Sequence, residues 1–224
     1  MKDYNEYSDW LDSFEQRELL IGDEYFPTNS SVAQKVDEQN RFKEFFGDTI
    51  VFGLEERTKT KIFEIMHTLY KELPECFCQR IYSHNIHMTL HDLSSSPVLH
   101  DVEAEVSENE RKLREILKDR PIFPQTIRMQ TNNVSNSMHI SLVMALKPTD
   151  EHEYEKLMKL YELFDEVRDL KRPLVPHITL AYYNQYGFSE QLVSELKNLV
   201  KELNKQSFEV VLNTEKLLYQ TLQA

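Results

Sequence analysis

The sequence predicts an α+β fold built from two related lobes that face a shared cleft. A strand–helix–strand pattern occurs twice, and the intervals from Val51 to His87 and from Val143 to His177 are nearly equal in length. The closing strand of each unit carries the same tetrad of His, an apolar residue, Thr and Leu. A chain that repeats one supersecondary unit tends to pack its two copies against each other.

The first unit begins with a short apolar run and ends with an alternating one. Residues 48–54 (DTIVFGL) indicate a buried strand, and residues 85–93 (NIHMTLHDL) alternate as a strand does. Between them, residues 58–73 predict an amphipathic helix. Its apolar side chains recur at helical spacing: Ile62, Ile65, Met66, Leu69 and Tyr70.

The second unit has the same order, with further elements on either side. An opening strand, a long amphipathic helix and a closing strand are expected in turn. The predicted elements after the first unit are a helix at 108–120, a strand pair at 125–131 and 137–146 around a turn at 132–136, a helix at 150–170, a strand at 175–183, a helix at 189–203 and two short strands within 207–222.

The first 44 residues differ from the rest. They mix acidic and aromatic residues, include Trp10, and end in a turn-rich link at 27–31 (PTNSS). We interpret residues 1–44 as an N-terminal extension with a helix near 7–20, and residues 45–224 as one domain of two lobes. Covering part of the core is the favoured role of the extension, and a lid or partner-binding arm is the alternative.

Charge limits the partners of this chain. The formal net charge is −12, and binding to long nucleic acid requires clustered Lys and Arg that neutralise phosphates. Such an acidic chain repels long RNA or DNA, whereas a small nucleotide or an RNA end suffers less repulsion. The charge thus disfavours binding to long nucleic acid without excluding a small nucleotide or RNA end as a ligand, and the sequence leaves the oligomeric state open.

The cysteines and the apolar runs indicate where in the cell the protein is located. Cys76 and Cys78 are separated by one residue, which is a poor geometry for a disulfide, and two thiols are too few for a zinc site. We therefore expect a reducing, cytoplasmic location. No apolar run approaches the roughly 20 residues of a membrane-spanning helix, so no membrane association is predicted.

The repeated tetrad provides the candidate catalytic residues. Alternate residues of a strand point the same way, so His87 and Thr89 share one face and His177 and Thr179 share another. One neutral imidazole can accept a proton from a nucleophile while the other, protonated, donates to a leaving oxygen. The threonine hydroxyls can bind non-bridging phosphate oxygens. This set suits phosphodiester chemistry without a metal, and no cofactor is expected.

With these residues, the chain resembles the two-histidine (2H) phosphoesterase superfamily, which includes the 2′-5′ RNA ligase-like proteins. The resemblance spans about residues 45–221 and rests on the two His-x-Thr-x motifs, on Pro176 and on the aromatic pair that follows the second motif. It is closer to an uncharacterised branch than to the ligase-like members.

The resemblance implies a bilobal fold whose antiparallel sheets face a central cleft. It also implies a hydrolase that acts on 2′,3′-cyclic phosphates or related 2′-5′ or cyclic nucleotide bonds, with the reverse ligation left open. The two histidines would act as acid and base, and the threonines would hold the phosphate. The alternative is a binding module on the same fold that holds a nucleotide without turnover.

Several other residues are candidate substrate contacts. A third tetrad contains His139 and Ser141 at the start of an opening strand, a place that does not match the other two histidines. His91 is expected on the same strand face as His87. Tyr182 is a candidate for base stacking, and Arg172 for steering a phosphate. A metal site formed by His84, His87 and His91 is disfavoured, because these residues lie on a predicted strand rather than on a helix.

Overall fold

The computed structural model describes residues 3–18 and 30–222. The helices in these residues are α1 (Tyr4–Glu18), α2 (Val32–Lys35), α3 (Glu56–Glu72), α4 (Glu103–Asp119), α5 (Glu151–Asp165) and α6 (Glu190–Leu203). The strands are β1 (Phe46–Gly53), β2 (His87–Ser96), β3 (Thr126–Ser137), β4 (Ser141–Pro148), β5 (His177–Tyr182), β6 (Glu209–Asn213) and β7 (Leu217–Leu222). None of the helices described here has both the length and the apolar character required to cross a bilayer.

The strands form one antiparallel sheet with the order β6-β3-β4-β5-β2-β1-β7. Its two halves meet where β2 runs beside β5, through the single residue pair Met88↔Ile178. The units β1–α3–β2 and β4–α5–β5 lie on either side of this junction. The predicted α+β fold with two related halves and antiparallel sheets is confirmed.

The helix of each unit packs across the junction. Helix α3 contacts β5, and helix α5 contacts β2 as well as β3 and β4. The buried stripe of α3 includes Met66 and Leu69, and that of α5 includes Leu157 and Phe164. Each half of the sheet therefore shares its core with the helix of the other half, which joins the two units into one hydrophobic core.

Helix α5 is shorter than its sequence pattern predicts. It begins after the N-cap Asp150, whose carboxylate accepts a hydrogen bond from the Glu153 amide, but it ends at Asp165 rather than at residue 170. The amide of Val167 donates to the Phe164 carbonyl in a tight turn. The apolar pattern continues past the end of the helix because Val167 is still buried in the core.

The turn that we predicted at residues 132–136 is wrong, because β3 continues through these residues to Ser137. A bulge lies in this stretch, and the amide and carbonyl of Val134 bond the side chain of Asn204. The chain reverses later, at Met138 and His139, which both have positive φ (50° and 59°). Two successive positive φ values indicate a type I′ hairpin turn, so His139 lies in a turn and not at the start of β4.

Helix α1 lies against β3 and β4. Tyr7 and Leu11 are buried, the hydroxyl of Tyr7 donates to the carbonyl of Leu174 at 2.8 Å, and its ring contacts Tyr154. The helix predicted near residues 7–20 starts earlier, at Tyr4, and residues 19–20 fall outside the described part, as do residues 27–29 of the predicted link.

The two cysteines are free thiols in the core of the structure. Burial raises the pKa of both Cys76 and Cys78 to about 12. A thiol with so high a pKa carries almost no thiolate at neutral pH and is a poor nucleophile. Neither cysteine is therefore a candidate for covalent catalysis.

Candidate active site

The candidate site is built around the junction of the two halves. Met88 and Ile178 face each other there, and both are fully buried, as are Leu90 and Leu180 at the end of each tetrad. These four apolar side chains anchor the two central strands in the core. Because side chains alternate along a strand, the residues between them point to the opposite face of the sheet.

Four polar side chains share that opposite face. In the antiparallel register, the neighbours of Met88 and Ile178 lie opposite each other, so His87 faces Thr179 and Thr89 faces His177. All four side chains are half-buried. The two histidines are diagonal neighbours, which lie about 7–8 Å apart in such a ladder. Two imidazoles carried on backbone positions this close can both contact one small anion.

Small apolar residues flank these four side chains. On β1, Gly53 pairs with His87 and Val51 pairs with Thr89. On β4, Ala145 pairs with His177 and Val143 pairs with Thr179. Val51, Val143 and Ala145 are buried, and none of the four flanking residues brings a charge next to the histidines.

Each central strand has a β-bulge directly after its tetrad. In β2 the register with β1 passes from Thr89 to His91, so Leu90 is the extra residue. In β5 the register with β4 skips Leu180 in the same way. Because one extra residue reverses the face to which later side chains point, His91 and Ala181 both turn towards the core, where both are buried.

The prediction that His91 lies in the cleft beside His87 is therefore wrong. Strict alternation places the two on one face, but the bulge directs His91 to the helix side. Its Nε2 bonds the carboxylate of Asp165 at 2.9 Å, and its Nδ1 donates to the carbonyl of Asp92 at 2.8 Å. The ring also packs on Tyr161. His91 holds the end of α5 against β2 and has no route to a ligand.

The bulge brings a residue to the site that the sequence did not indicate. Asp92 follows His91 and is exposed on the histidine side of the sheet. Its carboxylate pairs with Arg172 at 2.5 Å, so the predicted candidate Arg172 does lie at the edge of the site. Both side chains are mostly exposed, and an exposed pair of this kind contributes at most about 1 kcal/mol.

Tyr182 occupies in the second unit the place that Asp92 has in the first. It is half-buried and pairs in register with Ser141. An edge of the Phe42 ring contacts Tyr182, and the amine of Lys35 lies 5.4 Å from the centre of its ring. The predicted contacts Tyr182 and Ser141 thus lie together on the site face, where Ser141 is buried. His139 lies beyond them in the hairpin turn and is half-buried.

Both imidazoles are oriented by a backbone carbonyl two residues earlier. Nδ1 of His177 donates to the carbonyl of Val175 at 2.8 Å, and the ring of His87 hydrogen-bonds the backbone of Asn85. The hydrogen bond to Val175 fixes the tautomer of neutral His177, with the proton on Nδ1, and leaves Nε2 as a proton acceptor. The same arrangement in both units is a second sign of the repeat.

The environment favours the neutral form of both rings. Burial is the main cause that lowers the pKa of His87, and the nearby charge of His177 adds to this effect. Burial likewise lowers the pKa of His177, with a smaller opposing contribution from Asp92. At neutral pH both imidazoles of the free protein are therefore uncharged.

We expect these two shifts to make the protein less stable in acid. In the unfolded chain these histidines have a pKa of about 6.5, and in the folded protein their pKa is lower. As the pH falls below about 6.5, the unfolded chain binds protons that the folded protein does not. The free energy of unfolding therefore decreases as the pH falls from about 6.5 towards the folded-state pKa. Urea unfolding between pH 7.5 and pH 5 measures this dependence. His177→Gln should make it shallower, and an unchanged dependence in the variant would contradict the assignment.

The three histidines of the disfavoured metal site lie apart. His84 is exposed in a short 3-10 turn, where its ring stacks on Tyr82, and His91 lies in the core while His87 faces the site. In the part of the chain that the structure describes, no group of three or more His, Cys, Asp or Glu side chains is arranged to hold a metal ion.

The sequence matches no protein-family model and no curated protein. Among solved structures, it is similar to ATU0111 from Agrobacterium tumefaciens str. C58, a conserved protein of unknown function, with a TM-score of 0.64 and 14% identity over 80% of each chain. Apo LigT of E. coli has a TM-score of 0.44 and 16% identity over 81% of this chain and 96% of LigT. A structure described as a phosphoesterase has a TM-score of 0.44 and 15% identity over 80% of this chain and 95% of its own. The likeness to ATU0111 shows that this chain shares the fold of that protein.

Proposed function

We propose that this protein is a metal-independent phosphodiesterase that hydrolyses 2′,3′-cyclic phosphates or related 2′-5′ or cyclic nucleotide bonds. One observation carries the proposal: two imidazoles and two threonine hydroxyls, from distant parts of the chain, share one face around the pair Met88↔Ile178. The resemblance of both His-x-Thr-x motifs to the 2H phosphoesterase superfamily supports it.

The chemistry requires one proton acceptor and one proton donor. In the proposed reaction, one neutral imidazole takes a proton from water as the water oxygen bonds to phosphorus. The bond from phosphorus to a ribose oxygen breaks, and the other imidazole, protonated, gives its proton to that oxygen. The product is a nucleoside monophosphate at the 2′ or 3′ position. His87 and His177 fill these two roles, and the two protons exchange with solvent between turnovers.

The bound phosphodiester itself helps to prepare the acid. Both histidines are neutral in the free protein, and an anion placed between them favours the protonated form of either ring. Thr89 and Thr179 stand across the junction from the opposite histidine, where their hydroxyls can donate to the non-bridging oxygens. Hydrogen bonds to a charged acceptor are worth roughly 1.5–3 kcal/mol each.

The surroundings favour a small substrate over a long polynucleotide. The net charge of −12 opposes binding that depends on many phosphate contacts. The residues that pair with the site threonines, Val51 and Val143, are uncharged and buried, so neither offers a charge for further phosphate contacts. We therefore propose a nucleotide or an RNA end as the substrate class.

The domain division belongs to this proposal. Residues 45–224 would form the catalytic domain, and residues 1–44 would be an extension attached to it. We place the enzyme in the cytoplasm, where the two free cysteines stay reduced.

A direct assay tests the proposed activity. Purified protein is incubated with each of the four 2′,3′-cyclic nucleotides in EDTA, and the products are separated by chromatography. We expect a nucleoside 2′- or 3′-monophosphate to form at the same rate with and without the chelator. Saturable binding with no product would instead support the non-catalytic binding module, and a rate that disappears with EDTA would contradict a reaction without metal.

A further inference from the structure

Residues 30–45, which comprise the last part of the N-terminal extension and the first residue of the domain, form a segment that runs along one edge of the candidate site; we call it the edge segment. It contains α2 and a β-bridge between Val36 and Phe42. The side-chain amide of Gln185 donates to the carbonyl of Val36, and the backbone amide of Gln79 donates to the carbonyl of Asn40 at 2.7 Å. These contacts hold the edge segment against the loop after β5 and against the stretch between α3 and β2.

The edge segment brings a lysine to the site. The amine of Lys35 lies 4.9 Å from the ring centre of Phe45 and 5.4 Å from that of Tyr182, and Lys35 is half-buried. Tyr182 is on the same face as His177 and Thr179. Two aromatic rings therefore hold the ammonium group of Lys35 beside the proposed catalytic residues.

Lys35 differs from the other cations nearby. A surface cavity of about 570 Å³ adjoins the site, and its lining includes Lys35, Arg168 and Arg172. Arg172 is paired with Asp92, and Arg168 with Glu105. Among the side chains that the structure describes, Lys35 has neither a carboxylate nor a hydrogen-bond acceptor as partner for its amine.

The two aromatic rings replace only part of the hydration that this half-buried ammonium group loses, and its unused hydrogen-bond donors leave a remaining cost. An anionic ligand group in the cavity removes this cost. Asp101 also lines the cavity, where it accepts from the hydroxyl of Ser96 and keeps its charge. Among the described cations that line the cavity, Lys35 is the one whose charge is not taken up by a salt bridge. Lysine is a common partner of phosphate groups in proteins.

We propose that Lys35 binds a second phosphate of the substrate, separate from the phosphodiester held between His87 and His177. The inference rests on the proposed function and narrows it to nucleotides that carry a phosphomonoester in addition to the scissile bond. Neither strand–helix–strand unit contains Lys35, so the N-terminal extension would set the substrate preference of the site.

Kinetics with matched substrates test this inference. The two substrates are adenosine 2′,3′-cyclic phosphate with and without a 5′-phosphate, and the variant is Lys35→Met, which keeps the apolar contacts with Phe45 and Tyr182. We expect the wild type to prefer the 5′-phosphorylated substrate, and the variant to lose about 10- to 100-fold in kcat/KM for that substrate alone. Lys35→Arg should retain part of the preference.

The control is Lys43→Met, on the same edge segment. Its amine donates to the carbonyl of Ala33 and does not line the cavity, so both substrates should be hydrolysed as by the wild type. An equal loss for both substrates in Lys35→Met, or no preference in the wild type, would overturn the inference.

A binding measurement separates this inference from the proposed activity. Calorimetry compares adenosine 3′,5′-bisphosphate with adenosine 3′-monophosphate on the wild type and on Lys35→Met. Tighter binding of the bisphosphate that depends on Lys35 supports the second phosphate site, even if neither cyclic substrate is hydrolysed and the proposed function fails. Equal affinities of the two ligands for the wild type would refute the second site, whatever the turnover.

Discussion

Replacing His177 with alanine is expected to reduce kcat for 2′,3′-cyclic nucleotide hydrolysis by about 10²- to 10⁴-fold, and replacing His87 is expected to do the same. Each substitution removes one of the two groups that transfer protons in the transition state. The double variant should be little worse than either single variant, because groups that act in one step are not additive. Initial rates with saturating substrate measure the effect.

The matched control is His67→Ala, at an exposed position of α3, which should leave kcat unchanged. Thermal unfolding of each variant should remain cooperative, since His87 and His177 are half-buried at the surface of the site rather than in the core. Full activity in either His87→Ala or His177→Ala would refute the two-histidine mechanism.

Gly47→Ala is expected to lower the free energy of unfolding by about 3–5 kcal/mol. Gly47 has a φ of 145°, a backbone conformation that residues other than glycine rarely adopt. A Cβ at this position would lie 2.0 Å from the carbonyl oxygen of Ser94. That atom belongs to the backbone of β2, so it cannot move away without disturbing the pairing of β1 with β2. Urea unfolding monitored by circular dichroism gives the value.

Gly53→Ala, at the other end of the same strand, provides the comparison. A Cβ at Gly53 would meet its nearest neighbour, the carbonyl oxygen of Lys216, at 3.5 Å, which is ordinary van der Waals contact. We expect a change of no more than about 1 kcal/mol. Similar losses in both variants would show that the close approach of β2 does not control stability.

Periodicity predicted the elements of this fold well, because most of them bury one face. The stripe of α3 and the alternation of the tetrads follow directly from this requirement. The repeat then paired His87 with His177; both lie beside the pair Met88↔Ile178, and their joint role in catalysis stays a prediction. The hairpin turn at Met138 and His139 was missed because it has positive φ without the Asn or Gly that usually indicates such a turn.

The position of His91 and the role of Asp92 could not be predicted by alternation. A bulge after Leu90 adds one residue, and nothing in the local sequence distinguishes a bulged strand from a regular one. One signal was present: the second tetrad is followed by Ala181 and Tyr182, so a small residue stands in the second unit where His91 stands in the first. A small apolar residue at that place favours a buried position in both units.

The single residue pair between β2 and β5 has a mechanical consequence. With so short a ladder at the junction, backbone hydrogen bonds do little to set the distance between the two imidazoles. That distance depends instead on α3 seated against β5 and α5 seated against β2. Altered packing beneath the sheet, at a residue such as Met66 or Phe164, would therefore change the gap between His87 and His177 without touching either ring.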